Sequence, residues 1–153
     1  METSVALGIV GLLSALGVGL ACPTGAELAG LQVELPGAIH QAKVLARASG
    51  HNVIVALGDP TKGPDVLPVH LPSKVKWGKP AHIPLPKGMA DPKVADDTGE
   101  AHAKVTLTPR NTATATTWFL NDGREALCMR LSGQGRLQLL RWRKDQKTWV
   151  KVG

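Results

Sequence analysis

Tyrosine is absent from this 153-residue chain, phenylalanine occurs once and cysteine twice. The two cysteines, Cys22 and Cys128, make no disulfide framework and have no metal-ligand spacing. His40, His51, His70, His82 and His102 are scattered, with no His-x-x-x-His or Cys-x-x-Cys among them. No nucleophile elbow, phosphate-cradling glycine loop or HExxH motif is present. Catalysis therefore has little to stand on. The chain reads as a structural or interaction protein rather than an enzyme, with no cofactor and no metal site implied. One small acidic cluster, Asp96, Asp97 and Glu100, fits either a solvated turn or a loop that holds a cation. Internal repeats are missing too, and the length suits one domain of ordinary size.

Charge is missing over one long stretch. Thr3 to Cys22 is a run of twenty residues without a charged side chain, and Glu2 stands just before it. As a helix rising about 1.5 Å per residue, such a run spans the roughly 30 Å of a bilayer's hydrocarbon. Cleaved secretory signals open with basic residues, whereas the first charge here is acidic. A lipoprotein signal ending at Cys22 suits Ala21 and Cys22 but not Gly19. A retained membrane helix fits better than either.

Periodicity organises the rest of the chain. Leu28, Leu31, Leu35, Ile39, Ala42, Leu45 and Ala46 form a near-helical stripe, so the anchor is expected to continue as an amphipathic helix. Pro36 and Gly37 predict a kink or break in it, and Gly50 its stop. Val53–Leu57 reads as a first strand. Prolines at 60, 64, 68, 72, 80, 84, 86 and 92 then confine the middle to loops and edge strands such as Val66–Leu71 and Lys74–Trp77. Ala103–Thr108, Ala115–Leu120, Glu125–Leu131, Arg136–Arg143 and Thr148–Val152 read as strands separated by turn residues at 121–123, 132–135 and 144–147. The expected fold is α+β: a long N-terminal hydrophobic helix continuing into an amphipathic helix packed on a small antiparallel sheet. The segments are 1–22 for the membrane or filament-core helix, 23–50 for its continuation and 51–153 for a β-rich head.

The net charge of +6 is concentrated at the end of the chain. From Arg124 onward, Arg124, Arg130, Arg136, Arg141, Arg143, Lys144, Lys147 and Lys151 face only Glu125 and Asp145. With Trp142 and Trp149 interleaved, this segment has the makings of a nucleic-acid surface, since cations neutralise phosphates and indoles stack on bases. The competing reading makes the basic residues the wet face of a hairpin and the two Trp the cap of its core.

An apolar helix beginning at a Glu, an amphipathic continuation and a small sheet together resemble the type IV pilin superfamily, closest to H-type pseudopilins and FimT-like minor pilins. Met1 to Gly11 fits the register of that family's processed N-terminus, with Glu2 as its Glu and Gly11 as its Gly. The stretch from Ile39 to His51 is similar to its "LxxARxxAxxxG" helix end, Trp118 to Arg124 to its "F-x-pD-G" hairpin, and Met129 to Leu139 to its closing hairpin with Gly135-Arg136. The sequence opens at Met1 without the family's leader, as a late start, a truncation or an unusual processed end would leave it, and Gly17 and Gly19 stand at the register of the family's helix-bending proline. The resemblance implies a subunit of a type IV pilus-like or type II secretion pseudopilus filament. Such a subunit sits in a bacterial inner membrane with a periplasmic head and then enters a periplasmic or extracellular filament with other pilins or pseudopilins. It further implies that Glu2 sets subunit register against a neighbour's N-terminal ammonium, while Gly8, Gly11, Ser14, Ala15, Gly17 and Gly19 pack helix against helix. Some FimT-like minor pilins bind DNA through a C-terminal Gly-Arg-x-Arg. Here Arg136, Arg141, Arg143, Lys144 and Lys147 are the candidates for that alternative function, although Gln138 replaces the second Arg of the motif.

Overall fold

The computed structural model describes residues 25–59, 61–89 and 103–152. Within them, leucine and alanine spacing at three and four residues makes one helix, α1, Ala26–Ser49, whose buried residues are Leu28, Leu31, Leu35, Ile39, Ala42 and Ala46. Gly25 precedes it with φ 96° and ψ 3°, and Gly50 closes it with φ 72° and its N–H on the Ala46 carbonyl. Both glycines occupy the left-handed region that ends a helix and that a side chain would strain. Pro36 lies inside α1 without dividing it. A proline in mid-helix costs about 3 kcal/mol or more, and the burial of Leu35 and Ile39 on either side holds the turn regardless.

Among the described residues eight strands come after α1: β1 Val53–Leu57, β2 Val66–Val69, β3 Lys76–Trp77, β4 Lys104–Leu107, β5 Thr116–Asn121, β6 Ala126–Leu131, β7 Leu137–Arg143 and β8 Thr148–Lys151. They form a three-stranded sheet ordered β2-β1-β4 and a five-stranded sheet ordered β3-β5-β6-β7-β8. β1 and β2 run parallel, with Ile54 opposite Val66; every other pairing is antiparallel. Pro68 sits in β2, an edge strand, where its missing N–H costs no ladder bond.

These findings correct the expected architecture. Instead of one small antiparallel sheet there are two sheets, one of them mixed, and strands far outnumber helices among the described residues. Nor is α1 the tail of a longer continuous helix, because Gly25 holds a left-handed conformation at its start. Among the described residues no helix is long and apolar enough to cross a membrane. Residues 1–24, including the twenty-residue run assigned to the anchor, lie outside the described residues.

One core joins all three layers. α1 contributes its buried stripe, the three-stranded sheet Val53, Val55, Leu57, Val69, Val105 and Leu107, and the five-stranded sheet Trp118, Leu120, Leu127, Met129, Leu131 and Leu139. Trp77 meets Trp118 edge-on, with ring centroids 5.5 Å apart. The opposite face of the five-stranded sheet carries a second cluster of Ile83, Ala126 and Trp142 with Trp149 packed against it. The proline-rich stretch after β3 supplies Ile83, and Trp149 Nε1 donates to the Pro84 carbonyl at 2.8 Å. β6 is thus buried from Ala126 to Met129 on both faces.

Candidate functional site

The stripe that α1 buries leaves its other face in solvent, and that face carries large apolar side chains among polar ones such as Glu34, His40 and Gln41. Val33 is 75% exposed, Val44 53% and Leu45 40%, and these three are the exposed large hydrophobics of the described residues. Val33 and Val44 are eleven residues apart, three turns and about 20°, so they share one line along the helix. Gly30 and Gly37 flank Val33 and are exposed, and a Cβ added to either would meet nothing within 4 Å. Leu45 departs from the expected stripe, since it points to solvent while Ala46 takes the core position. The Val33–Val44 spacing is visible in the sequence as a second apolar line a half-turn from the first.

Both ends of α1 are tied to the five-stranded sheet. At the start, Arg141 Nε donates to Glu125 at 2.8 Å and its Nη1 to the Gln32 side chain at 2.9 Å. A Cβ on Gly25 would stand 3.4 Å from an Asp122 carboxylate oxygen and 3.5 Å from Arg141 Nη2. Glu27 accepts the backbone N–H of Lys74 at 3.1 Å. Toward the other end, Lys43 Nζ donates to the Gly135 carbonyl. Gly135 has φ 77°, and a side chain there would come within 3.0 Å of the Asn111 carbonyl.

This geometry disperses the candidate DNA-binding residues. Arg141, its side chain only 11% exposed, is committed to Glu125 and Gln32. Arg136 is exposed at the β6–β7 turn, whereas Arg143, Lys144 and Lys147 are exposed at the far end of β7. Eight residues of strand separate Arg136 from Lys144, about 26 Å at 3.3 Å per residue. The glycine of the Gly135-Arg136 pair has a structural reason in its positive φ and in Lys43. Trp142 and Trp149 meet edge-on at 5.9 Å over Ala126, and Phe119 meets Trp149 at 6.2 Å. They cap the second cluster and offer no free stacking platform.

Glu2, Gly8, Gly11, Ser14, Ala15, Gly17 and Gly19 lie outside the described residues, as do Cys22, Asp96, Asp97, Glu100 and His102. No group of three His, Cys, Asp or Glu able to hold a metal occurs among the described residues. An open cleft of about 390 Å³ between the start of β5 and the end of β6 is lined by Thr116, Thr117, Arg130 and Ser132; it holds hydroxyls and a cation but no general base. Burial pushes the Cys128 thiol up to about 12, and its sulfur lies 3.8 Å from Met89 Sδ. Such a thiol is a packing group, not a nucleophile. No family model, curated protein or solved structure matches the chain.

Proposed function

We propose that the chain is a structural subunit of a membrane-derived filament of the pilus or secretion-pseudopilus kind, assembling through its N-terminal third. The observation that carries this reading is the apolar outer face of α1, in a chain whose preceding residues Thr3 to Cys22 carry no charge. Two exposed valines on one helix line, with Gly37 and His40 between them, offer a narrow contact for another helix, and Gly30 and Gly37 permit close approach. The occupant is a second copy of this chain, or a homologous subunit, offering the same face.

Magnitudes assign the roles. Fully burying a Val or Leu side chain contributes about 1.5–3 kcal/mol, so covering the exposed fractions of Val33, Val44 and Leu45 contributes at most about 2.5–5 kcal/mol. Association alone costs at least about 4 kcal/mol. The outer face of α1 therefore selects a partner's position but does not hold it unaided, and the apolar run supplies the remainder. In this reading the run is first inserted in the inner membrane with the head in the periplasm, and Glu2 sets register against a neighbour's N-terminal amine.

Cysteine crosslinking in membranes tests the proposal. In a Cys22→Ser background, Val33→Cys and Val44→Cys are expected to give disulfide-linked dimers of the full chain, and Ala81→Cys, exposed far from α1, none. Monomers from both helix positions, with the chain recovered in the membrane, would overturn it.

A further inference from the structure

The register of the five-stranded sheet gathers charge where the apolar run joins the head. Leu127 faces Arg141 and Arg143 faces Thr148, so the β5–β6 turn and the β7–β8 turn share one end of the sheet. The start of α1 is at that same end, with Gly25 against Asp122 and Arg141 and with Glu27 on Lys74. Lys74, Lys76, Arg124, Arg143, Lys144 and Lys147 are all exposed there. Among the described residues, the acids of this end are largely engaged, and Asp91, Asp96, Asp97 and Glu100 lie outside them. Glu125 is paired with Arg141, Asp122 accepts the N–H groups of Arg124 and Glu125, Glu27 accepts Lys74 N–H, and Asp59 is tied to Thr61 and Lys104. Asp145 is exposed, and Glu34 lies about 12 Å further along α1. Cys22, the last residue of the uncharged run, is three residues before Gly25, at most about 11 Å of extended chain.

From this juxtaposition we infer that the basic end of the head docks on an anionic phospholipid surface. The inference rests on the proposal that Thr3 to Cys22 is held in a bilayer. A membrane-held run ending three residues before Gly25 brings this end of the head toward the headgroups, where exposed cations act over roughly 8 Å at physiological salt. Each near-surface Lys or Arg strengthens attachment to an anionic bilayer roughly fivefold, so a few of them fix the head's orientation while the subunit awaits assembly. The apolar face of α1 runs away from this end and stays open to a neighbouring copy.

Full chain reconstituted into phosphatidylcholine vesicles, with or without phosphatidylglycerol, provides the test, with lysine acetylation read residue by residue. Flotation with both vesicle types is expected, with Lys74, Lys144 and Lys147 acetylated about fivefold or more slowly when phosphatidylglycerol is present. Lys43, beside the β6–β7 turn at the opposite end of the sheet, should be unaffected. High salt should abolish the protection, and Lys144→Glu with Lys147→Glu should abolish it at Lys74. Flotation with both vesicle types and equal labelling would overturn the docking and leave anchoring intact. Failure to float with phosphatidylcholine would overturn the anchoring and the docking with it. Protection conferred by duplex DNA on phosphatidylcholine vesicles, but not by phosphatidylglycerol, would overturn the inference in favour of a nucleic-acid surface.

Discussion

Replacing Arg141 with Ala separates a structural role from a binding one. Its guanidinium makes a 2.8 Å bond to Glu125 and a 2.9 Å bond to Gln32, with side chains 11% and 26% exposed in the charged pair. Hydrogen bonds to charged groups contribute about 1.5–3 kcal/mol, and removing one member of a buried pair costs about 3–5 kcal/mol. Glu125 keeps partial access to water, so the lower part of that range applies, and the expected loss is about 2–3 kcal/mol. For a chain of this length that lowers Tm by about 4–12 °C. Thermal melts of the full chain in detergent, followed by tryptophan fluorescence, measure it. Arg136→Ala, on an exposed turn, should change Tm by no more than about 2 °C, within the ±0.5 kcal/mol usual for surface positions. The double variant Arg141→Met with Glu125→Gln should lose about 1 kcal/mol or more less than the sum of the single losses. Additivity within about 0.5 kcal/mol, or an Arg141→Ala melt matching the parent, would refute the assignment of Arg141 to the helix clamp.

Three further outcomes are expected. Gly135→Ala should destabilise by about 2 kcal/mol or more in the same melts, since a left-handed residue with a Cβ costs about 1–2 kcal/mol before the 3.0 Å approach to the Asn111 carbonyl is counted; a neutral result would mean that the turn relaxes freely. Asp59 is held below the ordinary carboxylate range by the Thr61 hydroxyl, then by the Thr61 N–H, with Lys104 adding to the effect. Its contribution is therefore complete above the unfolded value of about 4 and is lost as pH falls through the lower folded value. Asp59→Asn should flatten the decline of Tm with acid in that window, and an unchanged acid limb would refute the assignment. Cys128, with its thiol pushed up to about 12, should resist maleimide at pH 8 in the folded chain and react fully in denaturant, as read by mass; rapid labelling of the folded chain would contradict its burial.

Local signals are legible in the sequence. Val53–Leu57 and the strands after Ala103 fall close to where alternation and turn residues put them, because a turn at Asn121-Asp122-Gly123 or Ser132-Gly133-Gln134-Gly135 needs only its own residues. Long-range pairings are not legible. Nothing local tells β1 to pair in parallel with β2 and antiparallel with β4, so the sequence points to one sheet where two occur. The helix boundary at Gly25 is equally hidden, because the groups that crowd it, Asp122 and Arg141, are about a hundred residues away. Proximity in sequence groups the basic residues, but a strand carries its ends apart, so Arg136 is separated from Lys144 while Lys74 is brought toward it. Whether an arginine is bound to a protein carboxylate or left free for a ligand is likewise invisible until Gln32, Glu125 and Arg141 converge.

The attachment of α1 at both ends has a mechanical consequence. Arg141 and Glu27 hold its first turns while Lys43 holds a later one, and the buried stripe joins these grips. A pull transmitted along the helix axis loads all of them at once, in shear, instead of peeling them off one after another. A sheet fastened in that way stays on its helix under traction along the axis, and the weak direction of the attachment is sideways, across the helix.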